Sequence, residues 1–265
     1  MILRRCPNRI NDKQWQNCRI DEESKHMEFE RQTRPIGILG GTSWPSTIEY
    51  YRQFNELAQT TLGGHHSADL LLRSIDYHPI KSLYGEAWEQ IPSLLAKHLQ
   101  ELAACQPSCI VIANNTLHKA FDQIESELNL SVPVIHIVDA VGEEAQRTGV
   151  KSALLLAVKF TMEDGFYAKR LARYGVTVTI PDEPDRITIQ AIQSKLARGE
   201  DPEIYKPFFS ELIGKFTDLD AVILACTELP LVVDHSSSPL PALDSGQEQV
   251  KKAFEVYLKQ PGRES

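Results

Sequence analysis

The sequence predicts an α/β protein of two pseudo-symmetric lobes, each a mainly parallel sheet flanked by helices, with the candidate site in the cleft between them. Three observations lead there. Apolar runs at 36–39, 69–73, 109–113, 133–137, 153–157, 175–180, 221–225 and 240–243 read as strands. Most lack the polar alternation of a half-exposed strand, as expected for strands covered on both faces. Helical patterns lie between these runs, and alternating β and α units build parallel sheets. The chain also repeats itself. Ile36-Gly-Ile-Leu-Gly and Ala153-Leu-Leu-Leu-Ala stand 117 residues apart, and Ile110-Val-Ile-Ala-Asn-Asn-Thr and Val222-Ile-Leu-Ala-Cys-Thr stand 112 apart. These offsets put Asn114 and Cys226 at equivalent strand ends, facing each other across the cleft. Ligands in such folds gather at the carboxyl ends of the strands.

The first lobe spans 35–134. Its first strand runs into Gly40-Gly41-Thr42-Ser43-Trp44, a turn that opens a helix after Pro45, and Ser46 with Glu49 has the spacing of a capping box. Gly63-Gly64-His65-His66 reads as the loop before the next strand. Asn114-Asn115-Thr116 follows the third strand, where such residues cap a helix or, with it, hold an anion. The second lobe spans 135–241. There Asp139 reads as the N-cap of a helix over 140–148, Thr161 with Asp164 as a second capping box before a helix at 167–173, and Pro230 as a first-turn residue of a helix after Cys226. Residues 242–265 close the chain with a helix, about 246–259, that returns to pack on the first lobe. Residues 1–34 are rich in charge and poor in apolar periodicity, and read as a disordered tail or extended N-terminus.

Composition excludes several classes. The chain has 265 residues, 42% hydrophobic and 24% charged, enough to bury a core without disulfide or metal staples. Its formal charge is −8, and the tail holds eight basic against six acidic residues, so the remainder carries −10. Such a surface is a poor partner for nucleic acid. No apolar run approaches the ~20 residues of a membrane span, and the first residues lack the apolar stretch of a secretory signal. Five cysteines, an odd number without a C-x-x-C pair, indicate free thiols in a reducing, cytoplasmic setting. Cys105 and Cys109 have no nearby histidine pair to complete a zinc set and read as two small buried residues, so no metal is expected. The Gly40-Gly41 turn lacks both G-x-G-x-x-G and a Gly-Lys-Ser/Thr, which argues against a nucleotide and leaves a small carboxylate as its natural guest.

Cys226 is the best candidate nucleophile or base. A thiol near a helix N-terminus can have a depressed pKa; a buried, inert cysteine is the competing reading. His118, just beyond the Asn114 turn, is either an acid–base group or a structural histidine.

The stretch Ile36-Gly-Ile-Leu-Gly-Gly-Thr-Ser-Trp-Pro-Ser-Thr resembles the opening of the aspartate/glutamate racemase family, as do Asn115-Thr116-x-His118 and Ala225-Cys-Thr-Glu-Leu-Pro230. Leu62-Gly-Gly-His-His-Ser-Ala, with Asp76 and His78 beyond it, resembles the L-aspartate/glutamate-specific and broad-specificity amino-acid racemase subgroup. The likeness covers nearly all of 35–259. It implies a pyridoxal-independent, cofactor-free two-base mechanism, in which a thiol from each lobe serves one face of the substrate's α-carbon. It implies a small acidic amino acid as partner, and a homodimer. By the matched motifs, Cys226 is the second-lobe thiol; Thr42, Ser43, Asn115, Thr116, Thr161 and Thr227 form the substrate shell. Lys159 would balance a side-chain carboxylate, and Glu228 would orient Cys226 or face the substrate's ammonium.

The first-lobe cysteine position falls on Asn114, where the chain departs from the pattern. An amide has no useful acid–base pKa near neutrality, so Asn114 cannot replace a thiol. Three readings follow. Cys226 acts from one face while another group, with His118 and Thr116 the nearby candidates, or water acts from the other, giving slow or one-sided exchange. Or the chain is a single-thiol enzyme like the arylmalonate decarboxylases. Or the cleft binds an acidic amino acid without chemistry.

Overall fold

Each half of the chain folds into a four-stranded parallel sheet, and the two sheets share one strand order. The computed structural model describes residues 33–234 and 238–260, so the expectation for 1–32 lies outside the described residues. The first half runs β1 (Ile36–Gly40), α1 (Trp44–Leu62), β2 (Leu70–Ser74), α2 (His78–Lys81), α3 (Ile91–Ala103), β3 (Cys109–Ile112), α4 (Leu117–Ile124) and β4 (Val134–Ile135). After α5 (Ile137–Thr148), the second half runs β5 (Ser152–Ala157), α6 (Lys159–Asp164), α7 (Phe166–Leu171), β6 (Thr177–Thr179), α8 (Glu183–Leu196), α9 (Lys206–Gly214), β7 (Ala221–Ala225) and β8 (Ala242–Asp244), and α10 (Ser245–Leu258) ends it. The sheets are ordered β2-β1-β3-β4 and β6-β5-β7-β8. Ile36 pairs with Cys109 as Ala153 pairs with Ala221, so the sequence repeat is a repeat of topology and register.

Burial explains the strand composition. All positions of β1, β3 and β7 are buried, whereas β2 and β6, at the sheet edges, are only partly covered. Along β3 successive residues serve opposite faces. Ile110 and Ile112 pack with Leu95, Leu99 and Phe121 from α3 and α4, while Cys109 and Val111 pack with Phe54 of α1 and Val250, Phe254 and Tyr257 of α10. In the second sheet β5 and β7 share one core with Ile189, Ile192, Phe209 and Leu212. α10 lies on the first sheet: Tyr50 Oη donates to Gln249 Oε1 at 2.5 Å, and Gln249 Nε2 donates to the Ile135 carbonyl at 2.7 Å.

The local capping signals fall differently from expectation. Ser46 lies inside α1, whose N-cap is Ser43, and its hydroxyl reaches across the cleft instead. Thr161 lies inside α6, buried and turned toward Thr116. Asp139 lies in the first turn of α5, whose N-cap is His136, with Nδ1 accepting from Val138 N at 3.1 Å. In each case a spacing that fits a cap also fits a side chain recruited by tertiary contact. Of the Cys105 and Cys109 pair, read as two buried residues, Cys109 is buried and Cys105 is exposed. Among the described residues no group of three His, Cys, Asp or Glu side chains is arranged for a metal ion, and no helix is long and apolar enough to cross a membrane.

Gly41 shows why the turn after β1 needs glycine. Its φ is +82°, and an added Cβ would meet the Ile75 carbonyl oxygen at 2.2 Å. The turn thereby lays Thr42 beside β3, where its hydroxyl donates to the Ala113 carbonyl at 3.1 Å.

Arg170 of α7 ties the halves together. Its guanidinium bonds Asp139 at 2.7 and 2.6 Å, Glu125 at 2.9 Å, and also Asp122. Asp122 and Glu125 belong to the first half or its edge, Arg170 to the second. Removing the buried cation leaves three partly exposed carboxylates facing one another. Arg170→Ala is expected to destabilise the protein by about 3 kcal/mol, as for loss of one partner of a buried ion pair. Urea denaturation with an unchanged midpoint would contradict this role.

Candidate active site

The carboxyl ends of β3 and β7 open onto a cavity of about 300 Å³, lined by Asn114, Asn115 and Thr116 from one lobe and Cys226, Thr227 and Glu228 from the other. Its size suits a small metabolite rather than a dinucleotide. Thr42 and Ser43 join from the turn after β1, and Tyr77, Lys81 and Tyr84 from α2 and the residues flanking it. A larger depression of about 520 Å³ adjoins it and shares Ser46, Thr227 and Glu228, but it contains neither Asn114 nor Cys226. Ser46 Oγ and Thr227 Oγ1, 2.6 Å apart, bridge the lobes between the two spaces.

Cys226 follows the last residue of β7, and its sulfur has two opposed partners. Gln193 of α8 donates Nε2–H to Sγ at 3.0 Å, and Sγ–H donates to Glu228 Oε2 at 2.9 Å. Gln193 is itself set by Gln190, whose Nε2 donates to Gln193 Oε1 at 3.0 Å while its Oε1 accepts from Lys159 N at 3.0 Å. Thr227 Oγ1 donates to Glu228 Oε2 at 3.0 Å. The expected helix after Cys226 is only a 3-10 turn, Leu229–Leu231, so no helix dipole favours the thiolate. Burial and the Glu228 charge instead push the Cys226 thiol well above its ordinary range. The resting sulfur is therefore a protonated thiol with an acceptor already in place.

Asn114, across the cavity, is committed locally: its Oδ1 accepts from Leu117 N at 2.9 Å, capping the start of α4. Above it Tyr77 and Tyr84 share a hydroxyl–hydroxyl bond of 2.7 Å. Asn115 lines the cavity, yet its amide is used on both sides. Nδ2 donates to Ser245 Oγ at 3.1 Å, and Oδ1 accepts from Tyr167 Oη at 3.1 Å.

Three sequence candidates do not line the cavity. His118 is fully buried behind it, with Nε2 3.4 Å from the Ile112 carbonyl and 3.3 Å from Gln249 Nε2. Burial and the adjacent His136 ring hold its imidazole well below the usual range. Thr161 is buried and acts through Thr116, their hydroxyls 3.1 Å apart. Lys159 turns its ammonium to Glu183 at 3.4 Å and Glu163 at 3.8 Å. Conversely, Gln193, Tyr77, Lys81 and Tyr84 are part of the site without having been read from the sequence. Gln190 and Gln193 carried one signal, an uncharged amide pair three apart beside the apolar Ile189 and Ile192; α2 is a single turn with no periodicity to read.

Two strand ends, one from each repeat, converge on a small polar cavity between two parallel α/β sheets. A family model described as Asp/Glu/hydantoin racemase matches residues 39–253, and the chain belongs to that family. It is 25% identical over 233 residues to the broad-specificity amino-acid racemase RacX of Bacillus subtilis (strain 168), covering 84% of this chain and 98% of that protein. It is similar, at 30% identity and a TM-score of 0.75, to the crystal structure of an aspartate racemase homologue from Pyrococcus horikoshii OT3, covering 85% of this chain and all of that one. Glutamate racemase from Francisella tularensis, solved with D-glutamate, shares the fold at a TM-score of 0.57 and 19% identity, over 84% of this chain and 81% of that one.

Proposed function

We propose that the protein is a cofactor-independent racemase of aspartate or glutamate in which Cys226 exchanges the α-proton from one face and no thiol serves the other. The observation that carries this reading is the Cys226 sulfur held between Gln193 and Glu228 at the end of β7, facing Asn114 across the shared cavity. Membership of the racemase family supplies the reaction class. A cytoplasmic homodimer belongs to the same reading, resting on thiol usage and on resemblance.

The steps follow from the partners. The resting thiol must lose its proton before it can act as a base, and Glu228 Oε2, 2.9 Å away, is the acceptor. A substrate ammonium beside Glu228 offsets the carboxylate charge that raises the thiol pKa, so binding itself favours the thiolate. The Gln193 amide stabilises that thiolate by donating to it. The thiolate removes the α-proton, and in D₂O it returns a deuteron to the same face. Inversion requires a donor on the Asn114 side, where the cavity wall offers no thiol but does offer the Thr116, Tyr77 and Tyr84 hydroxyls and the Lys81 ammonium. Exchange with retention therefore outruns racemisation.

The thiol pKa is raised, and the base is the thiolate. The rate of exchange is expected to climb with pH through the neutral and mildly alkaline range as the thiolate fraction grows. Glu228→Gln removes the charge that opposes ionisation, so Cys226 alkylation by iodoacetamide, followed by peptide mass spectrometry, is expected to set in at lower pH. The same variant loses the proton acceptor, and its maximal exchange rate is expected to fall about 10²-fold. An unmoved alkylation profile would remove Glu228 from this role.

Asn114 itself favours a second reading, a binding protein for an acidic amino acid. It differs in one outcome: a thermal shift with aspartate that persists in Cys226→Ser, without α-proton exchange in the wild-type protein.

A further inference from the structure

We propose that the Tyr77 hydroxyl is the acid that protonates the α-carbon from the Asn114 face, with Tyr84 and Asn114 holding the phenolate that the transfer leaves. The proposal rests on the reading of Cys226 as the base of a racemase and assigns the group opposite it. Tyr77 and Tyr84 line the cavity together with Asn114, and Cys226 lines it from the other lobe. The two phenol hydroxyls are 2.7 Å apart. Asn114 adjoins the Tyr77 hydroxyl, and Thr116 adjoins that of Tyr84. Asn114 Oδ1 is occupied by Leu117 N at 2.9 Å, which leaves the amide nitrogen as the donor for Tyr77. Asparagine at this strand end thus serves a phenol instead of supplying a thiol.

Chemistry selects Tyr77 among the hydroxyls of that wall. A phenol is a far stronger acid than the hydroxyl of Thr116, which is also engaged with Thr161 at 3.1 Å. Burial raises the Tyr77 pKa, and the Tyr84 hydroxyl and the Asn114 amide oppose that rise by donating to the ionised oxygen. Burial and the neighbouring Tyr77 hold Tyr84 well above the ordinary phenol range, so Tyr77 gives up its proton while Tyr84 keeps its own. Packing that spans the cleft fixes the pair. The Tyr84 ring meets Trp88 edge-on at 5.3 Å and lies 6.1 Å from Phe160 of the second lobe.

The Cys226 thiolate takes the α-proton, and the electron pair of the broken C–H bond stays on carbon. That pair forms the new C–H bond on the opposite face with the Tyr77 proton. The site then holds a Cys226 thiol and a Tyr77 phenolate. Solvent returns a proton to the phenolate, and the thiol loses one through Glu228. The reverse direction begins from the phenolate with the thiol protonated, so both enantiomers are substrates. A phenol is a weaker acid than a thiol, and exchange through Cys226 therefore outruns inversion.

The test follows aspartate and glutamate in D₂O with the full chain, exchange by proton NMR and inversion by chiral chromatography. Inversion is expected in the wild-type protein, at a lower rate than exchange. Tyr77→Phe keeps the ring and removes the acid, and it is expected to lower the ratio of inversion to exchange about 10²-fold. Tyr84→Phe leaves the acid but removes a donor to the phenolate, and it is expected to lower that ratio about tenfold. A ratio unchanged in Tyr77→Phe overturns the proposal, as does a fall of exchange and inversion together, the mark of a structural role. Inversion that survives Tyr77→Phe and falls in Lys81→Met assigns the proton to that ammonium and also overturns it. Exchange without inversion in the wild-type protein overturns this assignment and leaves Cys226 standing as the base, whereas absence of exchange overturns the racemase reading itself.

Discussion

Cys226→Ala is expected to lower α-proton exchange on aspartate and glutamate by at least about 10³-fold, the scale of losing a group that transfers the proton in the transition state. The magnitude follows from the site. In the proposed mechanism Cys226 meets the α-carbon from the strand end of the second lobe, and Gln193 and Glu228, both hydrogen-bonded to its sulfur, act through it. The substitution removes one sulfur at the cavity wall, so the fold should persist, with circular dichroism and thermal midpoint close to those of the wild-type protein. Folded Cys226→Ala with near wild-type turnover would refute a thiol mechanism outright.

Asn114→Cys is expected to act in the opposite direction. It places a thiol on the face that lacks one, and racemisation should rise at least about tenfold relative to exchange, a part of what a tuned acid contributes. The substitution also breaks the bond from Leu117 N to Asn114 Oδ1 at the start of α4, at a cost of about 1 kcal/mol. Asn114→Ala bears the same cost without supplying a proton donor, and it separates the two effects. Chiral chromatography of product from either enantiomer reads the outcome. If Asn114→Cys and Asn114→Ala racemise alike, the missing first-lobe thiol is not what limits the wild-type protein.

All eight strands could be read from apolar runs, most plainly the central β1, β3, β5 and β7, which are covered on both faces, and the repeat in β1/β5 and β3/β7 identified the two ends that meet. Cap assignments were less legible. The Ser-x-x-Glu spacing of Ser46 and Glu49 also occurs within a helix, and what decided Ser46 was Thr227, a residue 181 positions away across the cleft. The same limit governs the site. Thr42, Ser43, Asn114, Cys226 and Glu228 follow strands directly, so the pattern of strands places them. Gln193 reaches Cys226 from the middle of α8, and Lys81 from a single turn containing Pro79, where local sequence carries no direction. The sequence left the Cys226 thiol open between a depressed pKa and a buried cysteine; the first needs a helix start, whereas Leu229–Leu231 makes only a short turn and burial beside Glu228 raises the pKa.

The most direct measurement is proton NMR of L- and D-aspartate and L- and D-glutamate in D₂O with the purified full chain. Loss of an α-proton needs only one working base, so the assay suits a site with a thiol on one face. The account predicts that one enantiomer of an acidic amino acid loses its α-proton signal faster than the opposite enantiomer accumulates, and that this loss disappears in Cys226→Ala. No loss from any of the four substrates, with folded protein that binds aspartate, would contradict proton transfer at Cys226 and leave the cleft as a binding site.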